Sequence, residues 1–175
     1  MMNWLWLTVV VTVIDQITKQ FAEHSLTLHH AISAMPNLNW TLMYNEGAAF
    51  SFLSNAGGWQ RWFFIALSSA ISLFLFFWLK QTGNNKKFLS AGLALILGGA
   101  VGNLIDRALF GHVIDFVQYY YHADTCLPGF SLWQLTTGSQ CVWPAFNVAD
   151  AAISIGAALL VIDMIKEHFE EKNNG

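Results

Sequence analysis

The stretch Pro144-Ala145-Phe146-Asn147-Val148-Ala149-Asp150 opens directly onto an apolar run over residues 151–165. A carboxylate at the mouth of a membrane-length segment is expensive to keep, so Asp150 needs either a partner or a chemical role. The role that fits is half of a catalytic aspartate pair, with Asp115 as the other half, and both must then lie at one membrane face. A structural reading stands beside it: Asn147 is a natural helix N-cap, and Asp150, three residues on, can reach back as in a capping box. The two are compatible, because a carboxylate in a helix's first turn also feels the positive end of the helix dipole.

Working outward, the chain of 175 residues is 55% hydrophobic and only 11% charged, with eight tryptophans. Soluble domains carry about 25% charged residues, so a single integral membrane domain spanning residues 1–175 is expected. A net charge of -3 without a basic cluster argues against a nucleic-acid partner. Four stretches approach the roughly 20 apolar residues that cross a bilayer: residues 3–21, 59–79, 88–109 and 148–165. The first lacks a basic start and a small-x-small cleavage site, so it is expected to be an anchor rather than a cleaved signal peptide. Lys80, Lys86 and Lys87 flank the short second connection, and Lys166 and Lys172 lie in the tail. The positive-inside rule then places both termini in the cytoplasm and turns the segments 23–58 and 110–146 outward. Lys19, Arg61 and Arg107 run against that bias and are read as pair-forming or functional residues.

Asp15 and Lys19 are four apart and share a helix face, as an interfacial ion pair or as functional groups. Residues 38–44 alternate, with Trp40, Leu42 and Tyr44 on one side and Asn39, Thr41 and Met43 on the other, which predicts a strand. It leads into the turn chemistry of Asn45-Glu46-Gly47-Ala48-Ala49-Phe50 and then residues 51–59, a mildly apolar segment suited to an interfacial lid. His24, His29 and His30 match no metal-ligand spacing, and no metal or cofactor is expected. In the third stretch Ala94, Gly98 and Gly102 form a small-residue stripe that lets another helix approach closely. Asp106 extends the stripe, while Asn103 and Arg107 lie beside it, so a buried Asp106–Arg107 pair or a wider interhelical ion network is expected there. Gly111 ends this helix, and His112 is read as merely interfacial. Tyr119, Tyr120, Tyr121, Trp133 and Trp143 make an aromatic belt in the loop that follows. Cys126 and Cys141 lie in the same loop, and outside the cytoplasm a disulfide between them is favoured over free thiols.

Two carboxylates near one water cannot both ionise readily and so share a proton, one acting as base on the water while the other donates to a carbonyl oxygen. Asp150 is expected to be the charged member and Asp115 the protonated one. No GxSxG, HExxH, P-loop or GxGD signature competes with this chemistry.

Five motifs in order, Asp15-Gln16-Ile17-Thr18-Lys19, Asn45 to Phe50, Gly102-Asn103-Leu104-Ile105-Asp106-Arg107, Val113-Ile114-Asp115-Phe116 and Phe146 to Asp150, resemble the lipoprotein signal peptidase (signal peptidase II) family over nearly the whole chain. The resemblance implies an aspartic endopeptidase of the bacterial inner membrane, all-α with four transmembrane helices plus a small outward-facing β-cradle. Such enzymes remove signal peptides from prolipoproteins, cutting before a cysteine that carries diacylglycerol, and are targets of globomycin-type peptide antibiotics. By motif, Asp115 and Asp150 take the catalytic positions. Asp15, Lys19, Asn45, Gly47, Asn103, Asp106, Arg107, Asn147 and Ala149 take supporting or substrate-lining ones. The enzyme is expected to contact membrane lipids and to work as a monomer. The loop between the two aspartates, with its cysteine pair, is longer than the family usually shows. A proton-coupled transporter using the same acids as relays is the rival class, and a purely structural membrane subunit is a third, although the acids cluster toward one face and no internal repeat is evident.

Overall fold

A computed structural model describes residues 4–47, 59–82, 86–123, 126 and 140–174. Among these described residues lie four helices, α1 (Leu5–Ser25), α2 (Trp59–Gln81), α3 (Lys87–Leu109) and α4 (Val148–Asn174), and four strands, β1 (Ile32–Met35), β2 (Leu38–Asn45), β3 (Val113–His122) and β4 (Gln140–Val142). The helices match the four apolar stretches, with α1 and α4 running past the predicted ends. The expected lid over residues 51–59 falls almost wholly outside the described residues, as do Ala48, Ala49, Phe50 and Trp133.

Three of the helices, Trp59–Gln81, Lys87–Leu109 and Val148–Glu170, are long and apolar enough to cross a membrane. α1 has the length, but its polar residues set it apart, and their placement explains why. Its outward face carries Val9, Val13, Ile17 and Phe21, the last 72% exposed, at four-residue spacing. Its inward face buries Thr8, Asp15 and Lys19. A helix that turns apolar side chains out and charge in is built for an apolar surrounding, the reverse of a soluble surface helix.

α3 is the central helix and packs against α1, α2 and α4. Leu75, Leu79, Leu93, Ala94 and Leu97 form the apolar core at the end away from the sheet. The predicted Ala94, Gly98 and Gly102 stripe faces α1, whose polar residues answer it rung by rung. Thr8 Oγ1 donates to the Ala94 carbonyl (3.0 Å), Thr12 Oγ1 to that of Gly98 (3.1 Å) and Gln16 Nε2 to that of Gly102 (3.2 Å). Such a ladder requires the backbones to approach, and only small residues on α3 permit it. The neighbouring glycines serve the other side of α3: a Cβ on Gly99 would collide with the Ala149 carbonyl of α4.

The sheet has the order β1-β2-β3-β4, with antiparallel pairing throughout. β2 is the strand predicted from alternation, but Asn39, Thr41 and Leu42 are all buried while Trp40 and Tyr44 are exposed. The register slips between Trp40 and Met43, and this irregularity breaks the period of two. β3 and β4 occupy part of what the sequence presented as an aromatic loop. Gly111, at φ +86°, makes the turn from α3 into β3, donating its N–H to the Arg107 carbonyl (3.2 Å). Cys126 and Cys141 are joined in a disulfide, which ties the segment beyond β3 to β4.

The α1–α3 contact yields a prediction. A Cβ on Gly98 would lie 2.8 Å from Val11 Cβ and 2.9 Å from the Thr8 carbonyl oxygen. Gly98→Leu should therefore separate the two helices and cost about 1–3 kcal/mol, seen as a lowered unfolding temperature in detergent. An unchanged temperature would contradict this packing.

Candidate active site

Lys19 is fully buried, and its ammonium finds three oxygen partners: Asp15 Oδ2 (2.8 Å), Asp106 Oδ2 (2.8 Å) and Asn103 Oδ1 (2.8 Å). All three ammonium protons are thereby used, the condition under which a charge can stay in an apolar interior. Asp15 Oδ1 accepts the Ala149 N–H (2.8 Å), which ties α1 to the first turn of α4. Asp106 accepts from Gln16 Nε2 (2.8 Å) and from the Ile114 N–H of β3 (3.2 Å). One cation thus fixes the relative positions of α1, α3, α4 and β3.

From this base the network rises through two asparagines. Asn103 offers its oxygen to Lys19 and donates its amide to Asp150 Oδ1 (2.8 Å). Asn147 donates to Asp115 Oδ1 (2.7 Å) and to Asn103 Oδ1 (3.2 Å). Its own oxygen receives the Asp150 N–H (2.9 Å), and Asp150 Oδ2 receives the Asn147 N–H (3.3 Å). That reciprocal pair is the anticipated capping box, and it leaves Asp150 Oδ1 directed toward Asn103. Asn45, at the end of β2, donates to the other oxygen of Asp115 (3.3 Å) while accepting the Gly47 N–H (3.1 Å). The carbonyl of Gly47 in turn receives Arg107 Nη2 (2.9 Å).

Asp115 and Asp150, which come from β3 and α4, line one cavity of about 890 Å³. Asn45, Asn103 and Arg107 line it with them. Burial raises the Asp115 pKa, the negative charge of Asp150 raises it further, and the opposing bonds from Asn45 and Asn147 leave it at about 8. Beyond Asp150 the cavity wall continues down α4 over Ala151, Ile153, Ser154 and Ile155. Ile155 is 57% exposed, so this end of the cavity meets the apolar outer surface of the bundle.

Every residue singled out from the sequence for support belongs to this single network, and of the two arrangements expected around Asp106 the interhelical ion network is the one that forms. Asp106 is held by Lys19 rather than by Arg107, because it points across to α1. Arg107 instead lies over the Phe64 ring (5.4 Å to its centroid) and reaches Gly47. Asp15 and Lys19 form the expected ion pair, with both side chains fully buried. Arg61 caps the end of α3 through the carbonyls of Arg107 (3.1 Å) and Ala108 (2.8 Å). His112 lies against Tyr44 with the rings tilted by 32° and their centroids 4.0 Å apart. Gln16 and Gln118 were missed. The spacing of Thr8, Thr12 and Gln16 on one face of α1 was available as a signal for the first, while nothing in the sequence marked the second.

A membrane-embedded helix bundle capped by a small sheet, with two aspartates on one cavity, defines the class, and solved structures agree with it. Two structures described as bacterial membrane enzymes studied by the in meso method are similar to this chain. One has a TM-score of 0.74 and 28% identity, covering 95% of this chain and 89% of its own; the other has 0.71 and 27%, covering 94% and 93%. The chain belongs to the signal peptidase II family, whose model, described as "Signal peptidase (SPase) II", matches residues 7–166. Lipoprotein signal peptidases of Pseudomonas putida and Pseudomonas fluorescens are 45% and 46% identical to it. They cover 96% and 94% of this chain and 90% and 88% of their own lengths. The protein is therefore a membrane peptidase, and the transporter and structural-subunit readings are set aside.

The geometry of Lys19 makes it a sensitive probe. Lys19→Met would leave Asp15 and Asp106 facing each other in the interior without a cation. Breaking a buried pair in this way costs about 3–5 kcal/mol, so chemical unfolding in detergent should show a loss of that order. A variant as stable as the parent would remove the structural role assigned to the ammonium.

Proposed function

We propose that Asp115 and Asp150 together activate one water, which hydrolyses the peptide bond preceding a diacylglyceryl-modified cysteine in bacterial prolipoproteins. The observation that carries this reading is that two carboxylates from separate elements line one cavity, where burial and mutual repulsion push Asp115 to about 8. At neutral pH Asp115 then holds a proton and Asp150 acts as the base. Asp150 takes a proton from the water as the oxygen attacks the scissile carbonyl carbon, and Asp115 donates its own proton to the carbonyl oxygen. Collapse of the tetrahedral intermediate breaks the C–N bond, with Asp150 returning a proton to the leaving nitrogen while Asp115 takes back its proton from a hydroxyl of the intermediate as the carbonyl re-forms. The titration belongs to the pair, because each charge alters the other.

The surroundings suit a lipid-bearing substrate. The apolar end of the cavity along α4 offers a path for acyl chains from the bilayer, while polar groups gather at the dyad. A globomycin-type peptide antibiotic would occupy the same cavity and bind the dyad. In this reading all four helices cross the bacterial inner membrane, α1 included, because Asp15 and Lys19 neutralise each other inside. Lys86 pairs with Glu167 and Lys166 lies over Phe88 (3.9 Å), so the basic residues gather at the end of the bundle opposite the sheet. The positive-inside rule assigns that end to the cytoplasm and the dyad to the periplasmic face, with the enzyme working as a monomer.

Asp115→Asn and Asp150→Asn should each lower kcat by about 10²–10⁴-fold or more on a lipidated precursor peptide, with unfolding temperatures near that of the parent. Full activity in either variant would sink the assignment. The pH profile supplies a second check. A carboxyl with a raised pKa stays protonated in the folded state where the unfolded chain, at 3.8, has released its proton, so its stabilising contribution, full below 3.8, is lost as pH rises to about 8, and its acid role fades as pH passes about 8. Turnover should fall on an alkaline limb near that pH, whereas a rate still climbing through pH 9 would contradict the protonated Asp115.

A further inference from the structure

Gln118 lies three residues beyond Asp115 on β3, and on a regular strand the two side chains would face opposite sides. Both nevertheless line the same cavity. The Phe146 carbonyl accepts the N–H groups of both Phe116 (3.1 Å) and Val117 (2.9 Å), two residues of β3 against one. Two residues against one is the pattern of a bulge, and a bulge re-aims the side chain that follows it. Asn39, directly opposite on β2, donates its amide to Gln118 Oε1 (3.3 Å). With its oxygen engaged, the Gln118 carboxamide keeps its two N–H donors, which have no hydrogen-bond partner among the described residues, in a side chain that lines the cavity.

We infer that Gln118 is a specificity-determining residue that binds a backbone carbonyl of the substrate two to four residues after the lipid-bearing cysteine. This rests on the peptidase reading above and deepens it. The cavity lining extends from the dyad along α4 to Ile155 and along β3 to Gln118. The α4 end, at Ile155, descends along an apolar surface and suits the acyl chains. The Gln118 end lies on the sheet, away from the helix bundle, and the part of a prolipoprotein that leaves the membrane there is the mature chain. Three residues of strand span about 10 Å, which an extended peptide also covers in about three residues. A primary amide suits this position because it recognises any peptide carbonyl without demanding a charge or a particular side chain.

The test compares two lipopeptides, both with a diacylglyceryl cysteine: one ending at the cysteine as its amide, the other extended by four residues. The parent enzyme should cleave the extended peptide with the higher kcat/KM. Gln118→Met, which keeps the volume but removes the donors, should lose roughly three- to tenfold on the extended peptide, mostly through KM, while leaving the short one unchanged. Gln118→Asn, which retains an amide, should recover part of the difference. The inference is overturned if the parent cleaves both peptides equally, if Gln118→Met keeps the full benefit of the extension, or if it loses the same factor on both. Failure of the parent enzyme to cleave either peptide would instead overturn the peptidase reading itself.

Discussion

A single buried ammonium holds the site together. Lys19 meets Asp15, Asp106 and Asn103 at 2.8 Å each, and these partners carry the connection onward to Ala149, Ile114 and Asp150. Charge buried in a membrane protein is tolerated only when completely paired, and complete pairing fixes geometry because no partner can move without exposing another. The carboxylates at the top of this network inherit that rigidity. Asn147 and Asn103 act as adaptors, converting the placement of one lysine into the placement of Asp115 and Asp150.

The packing of α3 follows from the same requirement. Its small residues let α1 come close enough for Thr8, Thr12 and Gln16 to reach backbone carbonyls, and that approach also brings Lys19 within reach of Asp106. On the opposite side Gly99 sits against Ala149, bringing the first turn of α4 up to α3. Glycine and alanine here are not simply filler between apolar helices. They set the distances over which the polar network must close, and the sheet then caps the bundle with β3 delivering Asp115 from above.

Much of this was legible in the sequence because a membrane restricts the possibilities. Acids and bases embedded in apolar runs stand out, so Asp15, Lys19, Asp106, Arg107 and Asp150 could be singled out, and the stripe at Ala94, Gly98 and Gly102 pointed to a close helix contact. The capping box at Asn147 was equally readable, being local. The partners were harder. Whether Asp106 turns toward Arg107 on its own helix or Lys19 on another depends on helix rotation, which one-dimensional spacing does not encode. The β2 alternation misled for a related reason: its register slip arises from pairing with β3, and no residue in β2 announces it. Gln118 was invisible because it reaches the cavity only through the irregularity at Phe116 and Val117.

The proposed chemistry requires that one solvent molecule be shared by two acids, and an experimentally determined structure of the unliganded enzyme in lipid is the most direct way to see it. One water within hydrogen-bond distance of both the Asp115 and the Asp150 carboxyl groups is the predicted result. Separate waters on each acid, with the two carboxyls too far apart for any single molecule to bridge, would contradict it.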